Sequence, residues 1–229
     1  MATTRFYLPS SGSAPCTPAY SASWYSAVGA WVERLPAVTT KSSTAYEEVS
    51  FDVNSASDVT ILCKQHISAA QAAYNWTTSD TIKWQQVWRR SSSTTVYCYL
   101  IVRVVSSDGG TFRGTLYEGA GPTNAPSWPP TNRSIGASGA AVNVQNAVSM
   151  QTDDRIVIET GCKRLGDAWT GGITHYYDDE SSDLPENETT GQDGIHTLNP
   201  WIEFTYGAGG GAGGGAADAR FRFRPSQRV

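Results

Sequence analysis

Charge is scarce in this chain. Only 17% of its 229 residues are Asp, Glu, Lys or Arg, against about 25% in an average soluble protein. Histidine is scarcer, with three residues. No stretch approaches the roughly 18 apolar residues of a membrane span. The opening MATTRFYLPSSGSAPC holds one Arg and no apolar run of about 7–15 residues, so it does not read as a secretory signal. The cysteines Cys16, Cys63, Cys98 and Cys162 are 47, 35 and 64 residues apart, which excludes a zinc site built from CxxC pairs. Gly-x-Ser-x-Gly, P-loop and HExxH motifs are missing too. A nucleophile would need a base and an orienting partner, and nothing in the sequence selects them. These absences predict a protein that is not an enzyme, takes no cofactor, does not enter a membrane and is made in a cytoplasm.

What fills the gap is Ser, Thr, Gly and Asn, together with eight Trp and eleven Tyr. That composition suits short strands joined by many turns. The clearest strand is VYCYLIVRVV, where Val96, Cys98, Leu100, Val102 and Val104 share one face. Tyr97, Tyr99, Ile101, Arg103 and Val105 share the other, and the β-branched and aromatic content favours a strand over a helix. SSDGG then closes a hairpin onto TFRGTLY, because Asp-Gly and Gly-Gly tolerate the positive φ of tight turns. Further strands are predicted at 46–53, at 57–69, in 73–90 around a TTSD turn, at 140–150, at 154–162, in WTGGITHYY and at 199–206. In 57–69, Val59, Ile61 and Cys63 are placed on one face and Thr60, Leu62 and Lys64 on the other.

RFYLPSSGSAPCTPAY has three prolines and is too broken for a sheet interior. It is expected as an extended arm across a surface, anchored by Phe6, Tyr7 and Leu8. Residues 21–40 read as a short helix or an aromatic loop, kept short by Gly29 and Pro36. The predicted fold is therefore all-β, a jelly-roll-like β-sandwich with extended N- and C-terminal arms. Its divisions are an arm over 1–20, the sandwich over 21–206, a Gly/Ala linker over 207–217 and a basic aromatic arm over 218–229.

Three groups of residues invite a functional reading. The acidic run after residue 177 is a solvated loop, a docking surface for a basic partner, or a calcium site at Asp178, Asp179, Glu180 and Asp183. Trp84, Trp88, Tyr97 and Tyr99 would stack sugar rings if exposed, but a buried core looks the same in sequence. His66 and His175 read as surface or edge histidines. Cys63 and Cys98 sit in strand patterns as small hydrophobes, unless neighbouring strands bring them within bridging distance.

The third group is the end of the chain. Residues 217–229 hold four arginines against one aspartate, a net +3, which leaves −7 for the rest of a chain of net charge −4. An acidic body makes wholesale nucleic-acid binding a poor expectation. As a strand, Arg220, Arg222 and Arg224 fall on one face of the tail and Phe221 and Phe223 on the other. Burying two phenylalanines gives about 3–6 kcal/mol, against about 5–10 kcal/mol to order five residues. Main-chain hydrogen bonds at about 0.5–1.5 kcal/mol each bring the sum near zero. Those bonds are collected by joining a sheet edge, and many linked copies turn marginal binding into firm binding. The linker spans about 18 Å as a coil and about 36 Å stretched, enough to reach a neighbour.

TTRFYLPSSGSAP with the following Pro-Ala-Tyr, RLPAVTTKSSTA, VRVVSSDGGTFRGTL and DLPENET…LNPWIEFTY lie in that order through the chain. Together they resemble a group of uncharacterised structural proteins of tailed-phage virions, associated with head or tail, over about residues 3–206. The resemblance implies a virion location, synthesis in the host cytoplasm, and partners that are other copies and other virion proteins. It implies a head-decoration or tail component working without catalysis. The alternative is the receptor-binding domain of a tail fibre, with a host glycan as partner.

Overall fold

The structure, a computed structural model, describes residues 1–25, 32–41, 47–52, 59–90, 96–120, 134–135, 141–164, 172–177, 182–183 and 198–207. Their regular structure is all strand: β1 (Ala2–Tyr7), β2 (Glu33–Ala37), β3 (Glu47–Asp52), β4 (Val59–Ser68), β5 (Tyr74–Trp76), β6 (Thr81–Gln85) and β7 (Val87–Arg90). There follow β8 (Val96–Val105), β9 (Phe112–Ala120), β10 (Ser134–Ile135), β11 (Val142–Asn143), β12 (Val148–Met150), β13 (Arg155–Arg164) and β14 (Gly172–Tyr177). The last are β15 (Ser182–Asp183), β16 (Leu198–Asn199) and β17 (Trp201–Tyr206).

A five-stranded sheet, ordered β2-β4-β13-β8-β9, packs against a four-stranded sheet ordered β1-β17-β6-β11. One apolar core joins them. Ile61, Cys63, Cys98, Leu100, Val102, Val104, Ile156 and Ile158 enter it from the larger sheet, and Phe6, Ile82, Trp84, Ile202, Phe204 and Tyr206 from the smaller. Each such side chain contributes about 1.5–3 kcal/mol on burial. A second four-stranded sheet runs β10-β7-β14-β3, and the chain passes into it from β6 across Gln86 alone. The architecture is an all-β, jelly-roll-like sandwich in which the first and last strands are neighbours.

The two faces expected for VYCYLIVRVV are those observed. Cys98, Leu100, Val102 and Val104 enter the main core, whereas Tyr99 and Ile101 pack on the opposite side. The SSDGG hairpin also forms, with Gly109 at φ +78°. Asp108 fixes it by accepting from the Gly110 amide (2.9 Å) and from the Ser106 hydroxyl.

Four expectations are corrected. First, residues 1–20 do not form one arm: Ala2–Tyr7 is a strand paired with β17, Phe6 opposite Ile202. The prolines that seemed to forbid a strand stand at 9, 15 and 18, after it has ended. Phe6 (2% exposed) and Leu8 (1%) are filled into the chain's own core, Phe6 edge-on to Phe204 at 5.9 Å. Second, 33–37 is an edge strand parallel to β4; Pro36 is tolerated because an edge strand leaves one side unpaired. Third, Lys64 does not share the face of Leu62. The register against β13 slips at Cys63, so Lys64 lies opposite Thr160 and Leu62 opposite Gly161; the extra residue of a bulge reverses alternation beyond it. Lys64 is buried, with Nζ 2.8 Å from the Glu33 carboxylate. Fourth, 140–150 is split between β11 and β12, which join different sheets, because Gln145 and Asn146 turn away to another task.

Candidate functional site

The place where the C-terminal sequence leaves the sandwich is built by residues far apart in sequence. In β17, Ile202, Phe204 and Tyr206 alternate into the core while Arg5 of β1 lies 3.9 Å over the Trp201 ring on the other face. Arg5 also grips Glu203 through Nε (3.0 Å) and Nη2 (2.8 Å). Immediately after Tyr206, the Gly207 amide donates to the Tyr74 hydroxyl (3.0 Å) and to Asp80 Oδ1 (3.2 Å). Tyr74 donates to the same Asp80 oxygen at 2.9 Å, and burial first, then this carboxylate, hold its phenol above its ordinary pKa. Asp80 is itself buried and fixed by the Thr77 amide (2.7 Å) and hydroxyl (3.1 Å). The chain after 207 therefore departs from a rigid point.

The margins of the five-stranded sheet are blocked over part of their length. Along β9, the Gln145 side-chain amide accepts from the Glu118 amide (2.9 Å) and donates to the Glu118 carbonyl (3.0 Å), as a paired strand would. The Gln145 backbone donates to Leu116 O (2.7 Å) and Asn146 Nδ2 to Thr115 O (3.0 Å). On the opposite margin, Pro36 of β2 has no N–H to offer, which blunts an edge against a further strand.

A polar cluster that the sequence did not reveal is sealed on the outer face of the same sheet. Glu159 of β13 is fully buried and accepts from Trp24 Nε1 (2.9 Å), Gln65 Nε2 (2.8 Å), the Ser21 amide (3.1 Å) and Arg103 Nη2. Arg103 donates also to Ala19 O (2.8 Å), and Arg34 to Pro18 O (3.2 Å) and Gln65 (3.1 Å). Trp24 meets Tyr99 at 5.4 Å and lies over Gly161, where a Cβ would collide with the Ile61 carbonyl and stand 2.6 Å from the indole. The group binds residues 18–24 across the sheet. It is a clasp whose central carboxylate, Glu159, is fully buried.

Of the residues picked out in the sequence, several are placed differently. Phe6 and Leu8 are core residues, which leaves them no surface for a neighbour, while Tyr7 is half-buried and bridged to Val38. Trp84 (1% exposed) packs against Tyr117 at 5.2 Å, and Tyr99 (8%) lies under Trp24 with its hydroxyl on Glu118. Neither offers a ring face to a sugar. Tyr97 is half-buried; Trp88 stands on β7 opposite His175 and Ser134. His66 is not a surface histidine but fully buried, its Nε2 donating to Pro9 O at 3.0 Å. Cys63 and Cys98 are on strands separated by β13, and it is Cys162 that pairs with Cys98; all the cysteines are free thiols. Asp183 lies on β15, while Asp178, Asp179, Glu180 and Arg220 to Arg224 are outside the described residues. Among the described residues no group of three or more metal-ligating side chains gathers, and no helix is long and apolar enough to cross a membrane.

No protein-family model matches the chain, and no curated protein does. Among solved structures it is similar to a chain of the Gx strain of infectious bursal disease virus, at 14% identity and a TM-score of 0.27 over 76% of this chain and 39% of that one. A mutant VP2 protein of that virus in derived T=1 particles aligns at 15% identity and 0.28, over 74% and 38%. A CocE/NonD family hydrolase of Staphylococcus aureus aligns at 8% and 0.22, over 90% and 35%. The chain thus spans about two-fifths or less of these structures. Alignments this loose, divided between virus particles and a hydrolase, decide nothing about its role.

Proposed function

We propose that the chain is a non-enzymatic structural protein of a tailed-phage virion, a head-decoration or tail component that assembles through its C-terminal segment. The observation that carries this reading is the fixed exit at Gly207, held by Tyr74 and Asp80. Beyond it comes a run of Gly and Ala and then a segment whose arginines and phenylalanines alternate with the period of a strand. Within the sandwich, β17 is already paired on both sides by β1 and β6, β9 is capped over Thr115–Glu118 and β2 is blunted by Pro36, so the segment meets no open partner strand beside its own exit. A strand-patterned segment leaving such a body collects its main-chain bonds on another copy. The virion placement is supported by the four ordered motifs of the sequence. The N-terminal segment contributes differently from a clasping arm: β1 completes the subunit's own four-stranded sheet, and residues 18–24 cover the outer face of the five-stranded one.

The test is truncation after Gly207. The expected outcome is a protein with an unchanged melting temperature and circular dichroism spectrum that no longer enters particles or self-associates. Normal incorporation of the truncated chain overturns the reading.

A further inference from the structure

Resting on the reading that residues 218–229 dock on another copy, we infer that the receiving site is the outer edge of β3, Glu47–Asp52. Among the described residues the sandwich presents six sheet-edge strands in its three larger sheets: β1 and β11, β2 and β9, β10 and β3. A five-residue guest needs an edge of about its own length with main-chain groups to spare. β10 and β11 are two residues each. β2 contains Pro36. β9 is capped over Thr115–Glu118 by Gln145 and Asn146. β1 is bridged at Tyr7 to Val38 in both directions (2.7 and 3.2 Å) and carries a basic residue but no acidic one. β3 differs from all of these. It is six residues long, EEVSFD, without Pro or Gly, carries three carboxylates, and pairs among the described residues with β14 alone.

Its sequence also fits the guest position by position. Residues two apart in a strand share a face, so Glu48, Ser50 and Asp52 form one set and Val49 and Phe51 the other. The tail has Arg220, Arg222 and Arg224 in one set and Phe221 and Phe223 in the other. With Arg222 placed at Ser50, the outer arginines fall at Glu48 and Asp52 and the phenylalanines at Val49 and Phe51. Because both patterns read alike in either direction, parallel and antiparallel docking satisfy them equally. A slip of one residue sets arginine at Val49 and Phe51, so the register is specified. Opposite charges and aromatic or β-branched neighbours are the cross-strand pairs that stabilise such an addition.

The experiment measures self-association of the full chain by sedimentation velocity. Glu48→Lys with Asp52→Lys, and separately Arg220→Glu with Arg224→Glu, are each expected to weaken association at least tenfold, and combining all four to restore it to within about threefold. If truncation after Gly207 abolishes association while the β3 reversals leave it unchanged, the β3 assignment is wrong and docking elsewhere stands. If truncation itself changes nothing, the docking reading has failed. Should the β3 reversals unfold the protein, mixing chains carrying Ser50→Cys with chains carrying Arg222→Cys under a mild oxidant decides the matter. A disulfide between residues 50 and 222 of different chains, found by mass spectrometry, is expected; its absence, or linkage at other positions only, overturns the proposal.

Discussion

The two faces of the five-stranded sheet are both buried, yet they are built on opposite terms. The inner face meets another sheet and is mostly hydrocarbon: Leu100, Val102, Val104, Ile156 and Ile158 are all within 3% of complete burial, and the buried Lys64 that the bulge turns to this side is answered by Glu33. Its partners have their backbone bonds satisfied in ladders, so along β8 and the start of β13 shape and apolarity decide the packing. The outer face meets a segment with three prolines and no regular structure, whose amides and carbonyls cannot be left dry and unpaired. Strand side chains therefore supply the missing partners: Glu159 for Ser21 and Trp24, Arg103 for Ala19, Arg34 for Pro18. A sheet covered by a sheet can be oily, whereas a sheet covered by a loop must be polar and buried at once.

The largest expected effect breaks this contrast at Glu159. Glu159→Ala leaves Arg103 buried without its carboxylate, which costs about 3–5 kcal/mol, or roughly 10 °C of melting temperature in a chain of this size. Replacing both, Glu159→Leu with Arg103→Met, is expected to recover most of that, since a well-packed apolar pair escapes desolvation. A single variant melting within about 3 °C of the parent would mean that the outer face does not depend on its ion pair.

His66 gives a smaller effect with a definite sign. Burial, opposed in part by its bond to Pro9 and aided by Lys64, lowers its pKa to about 3. In the unfolded chain it takes a proton near pH 6.5. Between those values the unfolded state binds the extra proton, so stability is complete above pH 6.5 and falls with acidification by up to about 1.4 kcal/mol per pH unit. Urea melts at pH 7, 6 and 5 are expected to show this slope, and His66→Gln to flatten it. An unchanged slope in the variant would place the acid sensitivity elsewhere.

How far the sequence reveals these features follows from the range of the interactions. The alternation of VYCYLIVRVV and the Asp-Gly hairpin are local, and both are legible. That Glu159 is buried on the outer face against Trp24, 135 residues earlier, is not. In DRIVIETGC it looks like any solvent-facing carboxylate on an alternating strand. Trp84 and Tyr97 likewise read alike until the second sheet arrives to bury the first. Pro9 misled because proline density was averaged over the segment, when a strand needs only the residues before the first proline. The bulge at Cys63 leaves no local mark, yet it moves Lys64 to the other face. For the candidate site the alternating tail is plain in the sequence. The anchoring of Gly207 by Tyr74 and Asp80 is a contact across more than 120 positions that no local pattern announces.

The smallest effect concerns the inner face alone, and its expected result is the lack of a response. Cys63, Cys98 and Cys162 are all within 1% of complete burial in the main core, and burial above all, with Cys98 adding to it, pushes the Cys162 thiol well above its ordinary pKa. Reaction needs thiolate and access together, and the inner face denies both. Cys16 lies in the covering segment and is half-exposed. A thiol reagent added to the native protein is therefore expected to modify one cysteine, Cys16, and slowly, because burial raises that thiol too. The other three should follow only at the rate of unfolding, all together, as denaturant is added. Stepwise release of Cys162 or Cys98 below the unfolding midpoint would show that the hydrocarbon face opens before the clasped one, reversing which side of the sheet is the firmer.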